Sequence, residues 1–107
     1  MTEVIQIITT TERFEDAQKI ASYLVEEGLA ACVQISGPIT SLYRWQGRIE
    51  TAQEWQCVIK TRAALYEQVE QTIRSRHPYQ TPEILAMPVV RGSAAYLDWL
   101  AEATRSL

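Results

Sequence analysis

Segments with two-residue and helical apolar spacing alternate along this 107-residue chain in the order β-α-β-β-α-β, and one more helical segment follows. That order restricts the fold sharply. A helical crossover returns the chain to a parallel strand, whereas two strands joined by a tight turn must form an antiparallel hairpin. Glu3 to Thr10 is β-branched and apolar and reads as strand one, with Ile5 and Ile7 on one face and Val4 and Ile8 on the other. Thr11 is expected to N-cap the first helix, with Glu12, Glu15 and Asp16 placed to favour the positive end of its dipole. Phe14, Ala17, Ile20, Ala21, Leu24 and Val25 repeat at helical spacing, and Gly28 ends that helix as a C′ residue.

Leu29 to Ile35 reads as strand two. Gly37-Pro38 interrupts it as a bend or bulge, and Ile39 to Trp45 continues it. Gln46-Gly47 marks a hairpin turn into strand three, Ile49 to Thr61. In strand three Trp55, Cys57 and Ile59 share one face, and Gln56, Val58 and Lys60 the other. Leu65, Tyr66, Val69 and Ile73 mark a second helix that stops before His77-Pro78. Ile84 to Val90 is strand four. Gly92 breaks it, and Ser93 is placed to cap a third helix with Tyr96, Trp99, Leu100 and Ala103 on one face. The fold expected is α+β: a ferredoxin-like βαββαβ antiparallel sheet with an additional C-terminal helix, as one domain over residues 1–107. In the strand order 4-1-3-2, strands two and four are edges, and Pro88 suits an edge because it cannot donate to a ladder.

The first two helices pack on one sheet face in this topology, so the other should be polar. It is not. Strand one is apolar on both sides, and strand four shows Ile84, Ala86 and Val90 on one side and Leu85, Met87 and Val89 on the other. The third helix covers only part of that face, which predicts a homo-oligomer with the long aromatic hairpin Ile39 to Glu54 engaged between copies. Lys and Arg are scattered and the net charge is −3, which disfavours a nucleic-acid partner. No apolar run approaches the roughly 20 residues of a membrane span. The start Met1-Thr2-Glu3-Val4 carries no basic, apolar leader, so a cytoplasmic location is expected. Two cysteines without a CxxC spacing read as reduced, buried thiols.

The stretch His77-Pro78-Tyr79-Gln80-Thr81-Pro82-Glu83 concentrates candidate chemistry. It holds the only histidine, a phenol and a carboxylate on a loop stiffened by two prolines. His77 and Glu83 are the best metal candidates, although an imidazole and one carboxylate make an incomplete site. The competing assignment has His77 at the end of the second helix favouring its dipole, with Glu83 paired to a lysine or arginine. If Gln46-Gly47 is the turn, paired positions sum to about 93. Position 32 then lies opposite 61, within the uncertainty of the bulge. Cys32 falls near Lys60, which would raise its reactivity; the alternative is a small core thiol with Lys60 in solvent. Lys60 is also placed to receive a carboxylate or phosphate. Tyr43, Trp45, Trp55 and Trp99 either wall a cleft or form interface core. The candidate cleft residues are therefore Cys32, Trp45, Lys60 and Tyr79. No Ser-His-Asp pattern, P-loop or HExxH is present, so no enzyme is expected.

Five stretches together resemble the CutA family of divalent-cation-tolerance proteins. They are Gly28-Leu29-Ala30-Ala31-Cys32-Val33, Ser41-Leu42-Tyr43-Arg44-Trp45-Gln46-Gly47-Arg48-Ile49, Ile59-Lys60-Thr61, His77-Pro78-Tyr79-Gln80-Thr81-Pro82-Glu83-Ile84, and Tyr96-Leu97-Asp98-Trp99-Leu100. The resemblance implies a homotrimer with PII-like architecture, a cleft between subunits, and a copper ion or another divalent cation as ligand. It also implies a departure. Some members carry a metal-binding cysteine near the end of strand one, where this chain has Thr9, so a soft thiolate for copper is missing. The function expected is binding of a divalent cation or small ligand between subunits. The alternative is a non-catalytic trimeric scaffold for a partner protein, with metal binding incidental.

Overall fold

A computed structural model describes residues 3–106; Met1 and Thr2, on which the leader expectation partly rests, and Leu107 lie outside the described residues. The elements run β1 (Val4–Thr11), α1 (Phe14–Glu26), β2 (Cys32–Trp45), β3 (Arg48–Arg62), a 3-10 turn (Ala63–Leu65), α2 (Tyr66–Arg76), β4 (Leu85–Pro88) and α3 (Ala94–Glu102). The sheet order is β2-β3-β1-β4 with antiparallel neighbours throughout. This is the expected α+β arrangement, with strands two and four at the edges.

One face of the sheet carries the core. Ile5 and Ile7 of β1 and Cys57 and Ile59 of β3 pack against Ala17, Ile20 and Leu24 of α1 and Val69 and Ile73 of α2. The helical residues recur at the three- and four-residue steps that put side chains on one face. Each fully buried aliphatic of this kind stabilises the fold by ~1.5–3 kcal/mol. α1 ends in a Schellman motif: Gly28, at φ +69°, donates to the Val25 carbonyl, and Leu29 donates to that of Leu24. Gly28 therefore takes the C′ role that its position suggests.

Three local expectations change. Thr11 is not an N-cap. It stays in β1 opposite Trp55, and its hydroxyl donates to the Arg13 carbonyl at 2.8 Å, so the helix starts two residues later, behind Arg13. Strand two opens at Cys32 rather than at Leu29, because the amides of Leu29 and Ala30 go to the helix C-terminus; Ala31 makes the first bond to β3, donating to the Lys60 carbonyl. β4 is shorter than Ile84 to Val90. Pro88 offers no amide to the ladder, and Val89 makes one further bond, to Val4.

The second face is apolar and open. Leu85 and Met87 pair with Ile8 and Gln6 and share their face, and both are exposed. α3, capped by Ser93 Oγ accepting from the Tyr96 amide, covers part of this side. Lys60 Nζ lies 5.8 Å from the Tyr96 ring. The β2–β3 hairpin extends past the core and gives the molecule extents of 44 × 25 × 21 Å.

Candidate functional site

β2 carries an irregularity between Ser36 and Ile39 that decides what the hairpin displays. Before it, Cys32 lies opposite Lys60 and Ser36 opposite Gln56; after it, Ile39 lies opposite Glu54 and Tyr43 opposite Glu50. The paired sum moves from 92 to 93 between Ser36/Gln56 and Ile39/Glu54. Strand side chains alternate with period two, so one extra residue moves the rest of β2 to the opposite parity. Tyr43 and Trp45 thereby join Glu54 on the face away from the helices.

The segment after α2 approaches that face. His77 takes the extended φ −84°, ψ 136° that the residue before a proline favours, and this ends the helix. The result is a cleft of about 660 Å³ walled by Tyr43 and Trp45 of the hairpin, Glu54 of β3, Thr10 of β1, and Tyr79 and Glu83 of the loop.

Glu54 is its most unusual member. It is only 7% exposed, yet among the described residues no cationic side chain lies within ion-pair distance of it. Its described side-chain hydrogen bond comes from the Tyr79 hydroxyl, which donates to Oε2 at 2.8 Å. Burial, and then this bond, push the Tyr79 phenol well above its ordinary range. Glu83 is held above the ordinary carboxylate value, first by burial and then by the charge of Glu54. Two carboxylates thus line one cleft, and among the described residues no cation pairs with either; the cost falls on Glu54, which is buried, more than on Glu83, which is exposed.

His77 is buried beside this cleft. Its Nδ1 accepts from the Tyr79 amide at 3.1 Å, so the proton sits on Nε2, which donates to the Thr10 carbonyl at 2.7 Å. Both ring nitrogens are engaged, and ligating a metal would require giving up one of these bonds. The ring does not bond to helix carbonyls; it ties the loop to β1.

The residues expected to share a cleft separate into two groups within one protomer. Trp45, Tyr79 and Glu83 meet, with Glu54. Cys32 and Lys60 lie opposite each other six residues further along β3, on the order of 20 Å away at 3.3 Å per residue. Lys60 turns to Tyr96 there. Of the other aromatics, Trp55 packs edge-on against Phe14 and Trp99 stacks near Tyr96, so neither walls the cleft. Cys57 is fully buried, donates to the Ala17 carbonyl at 3.9 Å, and has its thiol pushed up to about 11 by burial. Both cysteines are free, and Cys57 pairs with Ile35 rather than Cys32. Glu54 is the functional candidate that the sequence did not single out. Its signal was faint: one of two acidic residues on its strand, with a same-face neighbour, Gln56, that is also polar.

A family model described as CutA1 divalent ion tolerance protein matches residues 5–103. The chain is 44% identical over 104 residues to the divalent-cation tolerance protein CutA of Thermus thermophilus, covering 97% of this chain and 99% of that protein. It is 38% identical over 102 residues to the protein CutA, chloroplastic, of Arabidopsis thaliana, covering 95% of this chain and 56% of the relative's length. Among solved structures, the periplasmic divalent cation tolerance protein CutA from Archaeoglobus fulgidus superposes with a TM-score of 0.91 at 40% identity, covering 94% of this chain and 97% of that one.

Proposed function

The chain belongs to the CutA1 divalent ion tolerance family, and on that premise we propose that it is a non-catalytic homotrimer that binds a divalent cation or a small ligand in the Glu54–Tyr79–Glu83 cleft, closed by a neighbouring subunit. The observation that carries this is Glu54: a carboxylate 7% exposed, with no cation within ion-pair distance among the described residues, sharing a cleft with Glu83. A bound cation would relieve both charges.

The donor chemistry fits an oxygen-liganded ion. Glu54 and Glu83 supply carboxylates, and the hydroxyls of Thr10 and Tyr79 lie in the same cleft. Such a set suits hard divalent cations, whereas copper favours imidazole and thiolate. Those softer groups are committed elsewhere: His77 through both nitrogens, Cys57 in the core, Cys32 beside Lys60. Among the described residues no three His, Cys, Asp or Glu side chains come together, so one protomer offers only part of a coordination shell. The apolar second face supports a neighbouring copy as the source of the rest.

The compartment proposed is the cytoplasm, where free thiols are the ordinary state. Among the described residues no helix is long and apolar enough to cross a membrane. Calorimetric titration of Mn(II) and of Cu(II) into metal-free protein tests the site. Binding of about one ion per subunit is expected, with Mn(II) affinity lowered at least about tenfold in Glu54→Gln and in Glu83→Gln. Equal Mn(II) binding by wild type and both variants would remove the cleft as the cation site.

A further inference from the structure

His77, Tyr79 and Glu54 form a chain of hydrogen bonds that begins on β1 and ends in the cleft. The Thr10 carbonyl accepts from His77 Nε2 at 2.7 Å, His77 Nδ1 accepts from the Tyr79 amide at 3.1 Å, and the Tyr79 hydroxyl donates to Glu54 Oε2 at 2.8 Å. The imidazole and phenol rings pack with centroids 4.7 Å apart. Pro78 lies between the two residues and restricts the backbone that joins them. β3 places Glu54 on the cleft face and the bulge in β2 brings Tyr43 and Trp45 to it, but the loop supplies the hydrogen bond that orients its carboxylate.

We infer that His77 is a positioning residue: it fixes Tyr79, Tyr79 holds one oxygen of Glu54 and leaves the other facing the cleft, and the imidazole itself contributes no bond to the bound cation. This rests on the cleft as the cation site. A carboxylate buried to this degree and held by one described side-chain hydrogen bond needs that bond to keep its orientation. Without it the side chain turns towards water. The imidazole is spent on both sides, so its part in binding is transmitted through the phenol. Partners of this outer kind typically change metal affinity by about 10- to 100-fold.

The ligand-free test is the hydroxyl proton of Tyr79 in NMR, assigned by its loss in Tyr79→Phe. A slowly exchanging resonance is expected in wild type. It should disappear in His77→Ala and return in His77→Asn, whose carbonyl restores an acceptor for the Tyr79 amide. Persistence of the resonance in His77→Ala overturns the inference. The second test uses Cu(II), the probe most inclined to seek nitrogen. His77→Ala and Tyr79→Phe should each weaken binding by about tenfold or more, with the double variant no weaker than either single variant. His77 is the only histidine, so an imidazole-nitrogen signature in pulsed EPR of bound Cu(II) reports on it alone. Its absence is expected, and its presence overturns the inference by making His77 a ligand. If Glu54→Gln binds metal like wild type while the hydroxyl data follow expectation, the cleft assignment fails and the positioning of Glu54 stands.

Discussion

Thr9 and Thr61 are both fully buried, and they show how much a hydroxyl's surroundings matter. Thr61 Oγ1 donates to the Leu29 carbonyl at 2.6 Å and ties β3 to the end of α1. Thr9 Oγ1 is buried and has no hydrogen-bond partner among the described residues; it lies opposite Cys57 in the register. Replacing each with the isosteric Val should act in opposite directions. Thr9→Val removes an unpaid desolvation cost and is expected to stabilise by about 1 kcal/mol, whereas Thr61→Val strands a carbonyl and should destabilise by about 1–3 kcal/mol. Urea denaturation midpoints compare the two, and destabilisation by Thr9→Val would contradict the unpaired state of its hydroxyl. Glu83 adds a pH dependence with a definite sign. Its folded-state value lies above the ordinary 4.5, so the folded chain holds this proton to higher pH than the unfolded chain does. The native state therefore loses stability relative to the unfolded chain as pH rises from 4.5 through the folded value. Glu83→Gln lacks this slope. It should be more stable than wild type at neutral pH, with the gap closing below pH 4.5 when midpoints are measured across that range.

At the scale of elements, the bulge in β2 does most to create the site. Gly37 sits there at φ +151°, and a Cβ at that position would stand 2.9 Å from the Trp55 ring and 3.0 Å from the Glu54 carbonyl. Neither neighbour is a flexible side-chain tip. Gly37→Ala is expected to cost about 1–3 kcal/mol and to loosen the hairpin face that presents Tyr43, Trp45 and Glu54. Thermal unfolding measures the first effect and cation titration the second; an unchanged melting temperature would contradict the close packing at Gly37. The irregularity itself was legible in Gly37-Pro38, and so was the end of α1 in Gly28. The order of elements implied the sheet order through the ferredoxin-like arrangement, and the Gln46-Gly47 turn implied the approximate neighbour of Cys32. The length of the register shift was not legible, because a bend and a bulge share the same sequence signal. Thr11 misled for a related reason: a threonine before an acidic turn looks like a cap unless its strand partner, Trp55, is known. Glu54 stayed hidden because its burial and its bond come from Tyr79, 25 residues further along the chain. Local alternation carries no record of such a contact.

For the whole molecule, the open surfaces lie where a second copy could use them. Leu42 and Ile49 on the hairpin are 69% and 64% exposed, and Leu85 on β4 is 59% exposed. β2 and β4 are the two edges of the sheet, so each has a row of backbone groups unpaired within the protomer. An edge pairing from the hairpin of one copy to β4 of the next is head-to-tail, and head-to-tail contacts are harmless only if they close into a ring. Three copies make the smallest ring in which each subunit has two different neighbours. Such closure would bury the apolar second face and bring further donors towards the half-built cleft. Light scattering at micromolar concentration is therefore expected to give three times the chain mass. Leu85→Glu places a charge on the contact face at little cost to the protomer, since Leu85 lies outside the buried core. It should lower the mass towards that of one chain while far-UV circular dichroism stays unchanged. Arg74→Glu, on the exposed side of α2, should leave the mass at three. A single-chain mass for wild type would sink the trimer. A three-chain mass that survives Leu85→Glu would move the contact away from β4 and leave the apolar second face to another partner.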